Sequence, residues 1–228
     1  MTRPLKLVSS MATRELLAAL ASRYQQEFAR QVNAEAAGGV DVARRVAAGE
    51  PVDVVVLAAN AIDKLIASGK LLPGRVDIVQ SGIAMAVRAG APVPPVATEE
   101  EVRRAVLAAS TLSYSTGPSG QYLEALFNRW DIMQQISGRI VVPPPGVPVG
   151  SLLAEGKVAL GFQQLSELMN LKGVSLLGLL PDSIQSMTVF SGAVGASSDA
   201  QEAARAQLAL MAGPAVAQCK MEYGMSAA

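Results

Sequence analysis

The run Val52–Leu57 (VDVVVL) constrains this chain more than any other six residues. It is an almost unbroken series of β-branched side chains. A strand with only one face buried alternates apolar and polar residues; one covered on both faces does not. The run therefore predicts a central strand with helices on either side. Ile62, Leu65 and Ile66 follow at helical spacing and the pattern closes near Gly69. Strand then helix is the unit of a sheet whose strands are joined by crossovers.

The same rhythm recurs along the chain. Leu5 to Val8 reads as a short strand, followed by Leu16, Leu17, Leu20, Tyr24 and Phe28 on one helical face. Thr98 and Glu101 form a T-x-x-E box that opens a helix through Val102, Val106 and Leu107. Leu112 to Ser115 is a strand, and Tyr122, Leu126 and Trp130 share a helical face after it. Ile140 to Val142, Val158 to Phe162 and Val174 to Leu177 are further strands. Glu202 to Leu210 and Ala215 to Tyr223 read as closing helices, separated at Gly213-Pro214. The fold class is α/β, with mixed but mostly parallel sheets flanked by helices.

Composition narrows the function. Half of the 228 residues are apolar and 17% are charged, which excludes a disordered chain. Lys plus Arg equals Asp plus Glu, 19 each, so neither nucleic acid nor an anionic membrane surface is an expected partner. There is no histidine, the commonest general base and metal ligand. The single cysteine, Cys219, can form neither an internal disulfide nor a zinc cage, and is expected to pack on a late helix. No metal is expected. No cofactor is expected either: a G-x-G-x-x-G after the first strand and a Walker A lysine are both missing. The longest apolar stretches fall short of the roughly 20 residues that span a bilayer. Arg3 and Lys6 resemble an export n-region, but Ser9, Ser10, Arg14 and Glu15 interrupt any apolar core behind it. The expected location is periplasmic if a signal peptide has been removed, and cytoplasmic otherwise. A monomer is expected.

Two segments echo each other. ARRVAAGEPVDVVVLAANAIDKL (43–65) and GSLLAEGKVALGFQQLSEL (150–168) each run from a helix through a glycine turn into a buried strand, then into polar residues that open a helix. Such an echo fits two lobes built on similar units, and also two ordinary αβα units alike by chance. LKLVSSMATRELLAAL at the N-terminus, VARRVAAGEPVDVVVLAANAIDKL, TGPSGQYLEALFNRW and the tail SGAVGASSDAQEAARAQLALMAGPAVAQCKMEYGM carry a wider likeness. In order and spacing they resemble the type II periplasmic solute-binding proteins, in particular the molybdate-binding components of ABC transporters. The resemblance runs over nearly the whole chain. It implies two lobes, residues 1–81 with 188–228 and residues 82–187, with a ligand cleft between them. SGIAMAVRAG and MTVFSGAVGA would be the crossing segments. If the protein is exported, it also implies a transporter permease as partner.

In open α/β sheets, ligands bind beyond the carboxyl ends of strands, where helix N-termini offer unpaired N–H groups. The candidate contacts are therefore Ser9, Ser10 and Thr13 after the first strand, Gly38 and Gly39 after the second, and Asn60 after VDVVVL. In the second lobe they are Ser115, Thr116, Ser119, Gly120 and Tyr122, then Gln163 and Gln164. Each has a plainer reading. The serines can cap helices, TGPSG can be a turn, Tyr122 can pack, and one glutamine can face the core while the other is solvated. Met11 reads as core, and Glu35 and Asp41 as solvated residues flanking the glycines.

Molybdate binders supply a hydroxyl after the second strand, but here that segment is AAGGVDVARR, with none. Long amides in FQQLSE suit carboxylates and hydroxyls better than a compact oxyanion. The expected ligand is thus a small anion, a di- or tricarboxylic acid rather than molybdate. The alternative is a cofactor-independent isomerase of a tricarboxylic acid, like the aconitate-isomerase-like members of the same group. Without histidine its acid and base would come from Glu167, Glu35 or Tyr122, and a carboxylate in that role would need a raised pKa.

Overall fold

The computed structural model describes residues 3–144 and 146–228. The chain divides into two compact units, residues 1–81 with 188–228 (unit 1) and residues 82–187 (unit 2).

In unit 1 the order of elements is β1 (Leu5–Ser10), α1 (Arg14–Phe28), β2 (Val32–Ala37), α2 (Gly39–Ala47), β3 (Val54–Ala58) and α3 (Ala59–Ala67). β4 (Val76–Arg88) then carries the chain into unit 2. β1 pairs in parallel with β2 on one side and β3 on the other, so all three strands end on one edge. Val54, Val55, Val56 and Leu57 are buried, and they divide between two apolar clusters. That division is what an unbroken β-branched run requires: one face meets Leu16, Leu17 and Leu20 of α1, and the other meets Val42, Val46, Ile62 and Leu65.

Unit 2 contains the second half of β4, then α4 (Glu99–Ala108), β5 (Leu112–Tyr114), α5 (Pro118–Arg129) and α6 (Met133–Ile136). α7 (Val149–Ala154), β6 (Leu160–Gln164), α8 (Leu165–Leu168) and β7 (Val174–Leu179) complete it. β5 and β6 are parallel, while β6 and β7 run antiparallel to β4. The Thr98–Glu101 capping box forms in full at the start of α4. The expected strand at Ile140 to Val142 is reduced to a single bridge, Leu112 to Ile140. The run of prolines from Pro143 explains this, because proline offers no N–H to a ladder.

β8 (Met187–Val194) brings the chain back to unit 1, where it pairs antiparallel with β3. α9 (Gln201–Ala212), α10 (Ala217–Glu222) and β9 (Ser226–Ala227) follow. The returning stretch is tied to the first by close backbone approach. A Cβ on Gly195 would sit 2.0 Å from the Val52 carbonyl oxygen, so only glycine fits there.

The polar residue inside VDVVVL is the second tie. Asp53 is 2% exposed and accepts two hydrogen bonds from the Arg3 guanidinium, at 2.7 and 2.8 Å. It also accepts from the Lys6 backbone N–H and from the Ser198 hydroxyl. Arg3 reaches on to Asp199. Burial pushes the Asp53 carboxyl up, but the Arg3 guanidinium and the other donors outweigh it and hold it at about 2. A carboxylate depressed in the folded state stabilises above its unfolded pKa, and that contribution fades as pH falls through the folded value. Asp53→Asn is expected to cost about 2 kcal/mol at neutral pH, a fall of roughly 4–8 °C in Tm. The gap between the two proteins narrows from about pH 4 down to about pH 2, measured by thermal melts across that range.

Candidate functional site

In unit 1, Ser10 is the last residue of β1 and stands in register with Ala37, the last of β2. Gly38 is the N-cap of α2 and Gly39 its first residue. A Cβ on Gly39 would lie 3.5 Å from the Ser10 Cβ, so the start of α2 and the tip of β1 are in contact. β1 runs through Ser9 and Ser10 rather than ending at Val8, and the hydroxyls of Ser9, Ser10 and Thr13 differ in what they do. Ser9 and Thr13 are buried, and both donate to the Ser10 carbonyl. The Ser10 hydroxyl is buried without a hydrogen-bond partner. A buried polar atom left unpaired costs free energy, typically about 1–3 kcal/mol. A ligand oxygen would relieve that cost, and the unpaired N–H groups of α2 open beside it. Asn60 lies in the first turn of α3 and is exposed.

Glu35 is half-exposed on β2, and its carboxylate is paired with Arg45 of α2. Arg45 also holds Glu50, which in turn binds Lys6. The Arg45 guanidinium holds the Glu35 carboxyl below its usual range and Glu50 at about 2. That is the opposite of the raised value expected of an acid–base carboxylate. Asp41 pairs with Arg44.

In unit 2, Tyr114 stands in register with Phe162, so Ser115 and Gln163 follow at one level of the sheet edge. The Ser115 and Ser119 hydroxyls are 2.8 Å apart. A Cβ on Gly120 would fall 1.6 Å from the Ser115 carbonyl oxygen, so the first turn of α5 is pressed onto the loop that precedes it. Gly120 is thus required for packing. Thr116 is exposed. The Tyr122 hydroxyl donates to the Ile184 carbonyl at 2.9 Å, which commits its proton to the backbone.

The glutamines are the last two residues of β6, which runs to Gln164 rather than ending at Phe162. Gln163 and Gln164 pair with Ala84 and Ile83 of β4 and are 3% and 4% exposed. Gln163 shares its strand face with Gly161, against α7; Gln164 shares the other with Leu160 and Phe162. The Gln163 amide is bonded at both ends. Its oxygen accepts from the Gly150 N–H at 3.1 Å, and its nitrogen donates to a Glu167 carboxylate oxygen at 2.7 Å. Ser166, between Gln164 and Glu167, was not among the sequence candidates. Its hydroxyl oxygen is buried without a partner. The only sequence signal was a hydroxyl in the first turn of a helix that follows a buried strand. Among the described residues, no group of three or more His, Cys, Asp or Glu side chains is placed to hold a metal ion.

The two serine environments make a test that needs no ligand. Ser10→Ala removes an unsatisfied hydroxyl and is expected to leave stability within about 0.5 kcal/mol. Thr13→Val deletes a satisfied buried bond and is expected to cost about 1 kcal/mol. Urea unfolding of both variants measures the difference.

The family model of the bacterial extracellular solute-binding proteins matches residues 5–226. An aconitate isomerase of a Pseudomonas species is 40% identical over 186 residues, which cover 81% of this chain and 71% of that protein. The periplasmic molybdate-binding protein of Azotobacter vinelandii superposes with a TM-score of 0.78 at 19% identity, over 97% of this chain and 98% of that one. The sulfate-binding protein of Mycobacterium tuberculosis gives 0.79 at 17% identity, over 98% and 86%. Among the described residues, no helix is long and apolar enough to cross a membrane. With nearly its full length matched and the two-lobed mixed α/β fold shared, the chain belongs to the bacterial extracellular solute-binding protein family.

Proposed function

We propose that this protein binds a tricarboxylic acid and interconverts the isomers of aconitate by proton transfer, without a cofactor. The observation that carries the reading is the 40% identity to an aconitate isomerase over 81% of the chain. The chemistry requires a base that takes a proton from the substrate's methylene carbon. The electron pair moves into a new double bond, and the far carbon of the old double bond accepts a proton.

Glu167 is the candidate base that the surroundings favour. Glu35 is spoken for by Arg45, and the Tyr122 proton by Ile184. Glu167 is partly exposed in α8, just after β6, and its carboxylate accepts the Gln163 amide. In the same unit Ser166 directly precedes Glu167, and its unpartnered hydroxyl is a neutral group suited to a substrate carboxylate. Neutral donors hold an anion without burying a permanent counter-charge, consistent with a chain of zero net charge.

A second reading is favoured by the family match itself. A solute-binding protein would capture the acid outside the cytoplasm and deliver it to a transporter permease. Turnover separates the two.

Thermal shift with citrate, cis- and trans-aconitate, molybdate, tungstate and sulfate is the first measurement. Midpoints are expected to rise with the carboxylic acids, by mass action. Absorbance is expected to follow conversion of one aconitate isomer to the other. Glu167→Gln is expected to keep the shift while kcat falls by about 10²–10⁴. A shift confined to the metal oxyanions and sulfate overturns the proposal, and binding of the acids without conversion leaves the receptor.

A further inference from the structure

We infer that Gln163 does not touch the ligand but is a positioning residue, an amide bridge that fixes the Glu167 carboxylate against α7. The inference rests on the reading of Glu167 as the base. Gln163 is 3% exposed, and both ends of its amide are engaged inside unit 2. The Gly150 N–H lies in the first turn of α7, one of the donors a helix leaves unpaired. Accepting that N–H fixes which way the amide faces, with its oxygen toward α7 and its NH2 toward Glu167. The donated hydrogen bond then sets where the carboxylate stands.

The anchor is rigid because two glycines let α7 come close. A Cβ on Gly150 would lie 2.3 Å from a Leu171 methyl and 3.3 Å from a Leu168 methyl. One on Gly161 would lie 2.7 and 2.8 Å from Leu153 and Val149. α7 is thereby seated on both β6 and the segment after it. The β6 ladder fixes the other end, since Gln163 is paired in register with Ala84. A side chain held at its backbone and at its amide oxygen has no freedom left for its nitrogen. A carboxylate base needs that kind of hold, because a misplacement of about 1 Å costs on the order of 10²-fold in rate.

Two substitutions separate positioning from packing. Gln163→Leu removes both bonds. Gln163→Glu keeps the shape and an acceptor for Gly150, but replaces the donor with a second carboxylate facing Glu167. Like charges at this distance share one proton, which takes the base out of its working form. Both variants are expected to lose kcat by about 10–100-fold with KM held within about threefold. Gln163→Glu is expected to bind the substrate, by thermal shift, as the unsubstituted protein does. A loss confined to KM would make Gln163 a ligand contact and overturn the inference. So would wild-type kcat in both variants while Glu167→Gln is inactive. Wild-type kcat in Glu167→Gln, or no turnover by the unsubstituted protein, would instead overturn the reading on which it rests.

Discussion

Unit 1 is assembled from two stretches of chain with the whole of unit 2 between them, and the Asp53 carboxylate is where they are tied. Its oxygens collect Arg3 from the start of the chain, the Lys6 N–H of β1, and Ser198 from the loop before α9. A lone buried carboxylate would neutralise itself, because desolvation costs more than the fold could return. Four donors reverse that balance, and a bidentate guanidinium adds direction as well as energy. The Gly195 backbone, which donates to the Asp53 carbonyl, lies against the same segment. With β3 fixed between β1 and β8, the ends of β1, β2 and β3 fall on one edge, and Ser10 and Gly39 meet there. The candidate site of unit 1 is thus set from the opposite end of its strands.

Unit 2 reaches the same end with glycine rather than charge. Gly120 lets α5 begin almost on top of the Ser115 carbonyl, while Gly150 and Gly161 let α7 settle on β6. Each glycine removes a side chain where two backbones need to approach, which brings N–H groups within reach of polar partners. The cost is conformational entropy in the unfolded chain, about 0.5–1 kcal/mol per glycine relative to alanine. The packing of Phe127 and Phe162, whose rings meet edge to face at 6.0 Å, is among the contacts that offset it.

The architecture was legible because it is written in hydrophobic pattern. VDVVVL announced a strand covered on both faces, and the T-x-x-E box placed the start of α4 to the residue. Strand ends were less legible, because pairing decides them rather than polarity. Gln163 and Gln164 read as the tip beyond a strand, yet the ladder to β4 continues through both. Ile140 to Val142 read as a strand on β propensity alone, but the prolines that follow leave only one bridge. The roles of the candidate side chains could not be read from their positions in sequence. Nothing in SSMAT says that Thr13 and Ser9 serve the Ser10 carbonyl while the Ser10 hydroxyl stays unpaired. Equally, nothing near Glu35 in sequence says that Arg45, ten residues on, claims its carboxylate.

A chain without histidine has few ways to move a proton at neutral pH, so the placement of each carboxylate matters more than its presence. Three of this protein's carboxylates are committed to arginine. Asp53, Glu50 and Glu35 face arginine, which holds them ionised and occupies their lone pairs. They are good cement and poor bases, because the cation that stabilises the anion also weakens its pull on a proton. Glu167, in α8, accepts the amide of Gln163. An amide donor fixes where that carboxylate stands.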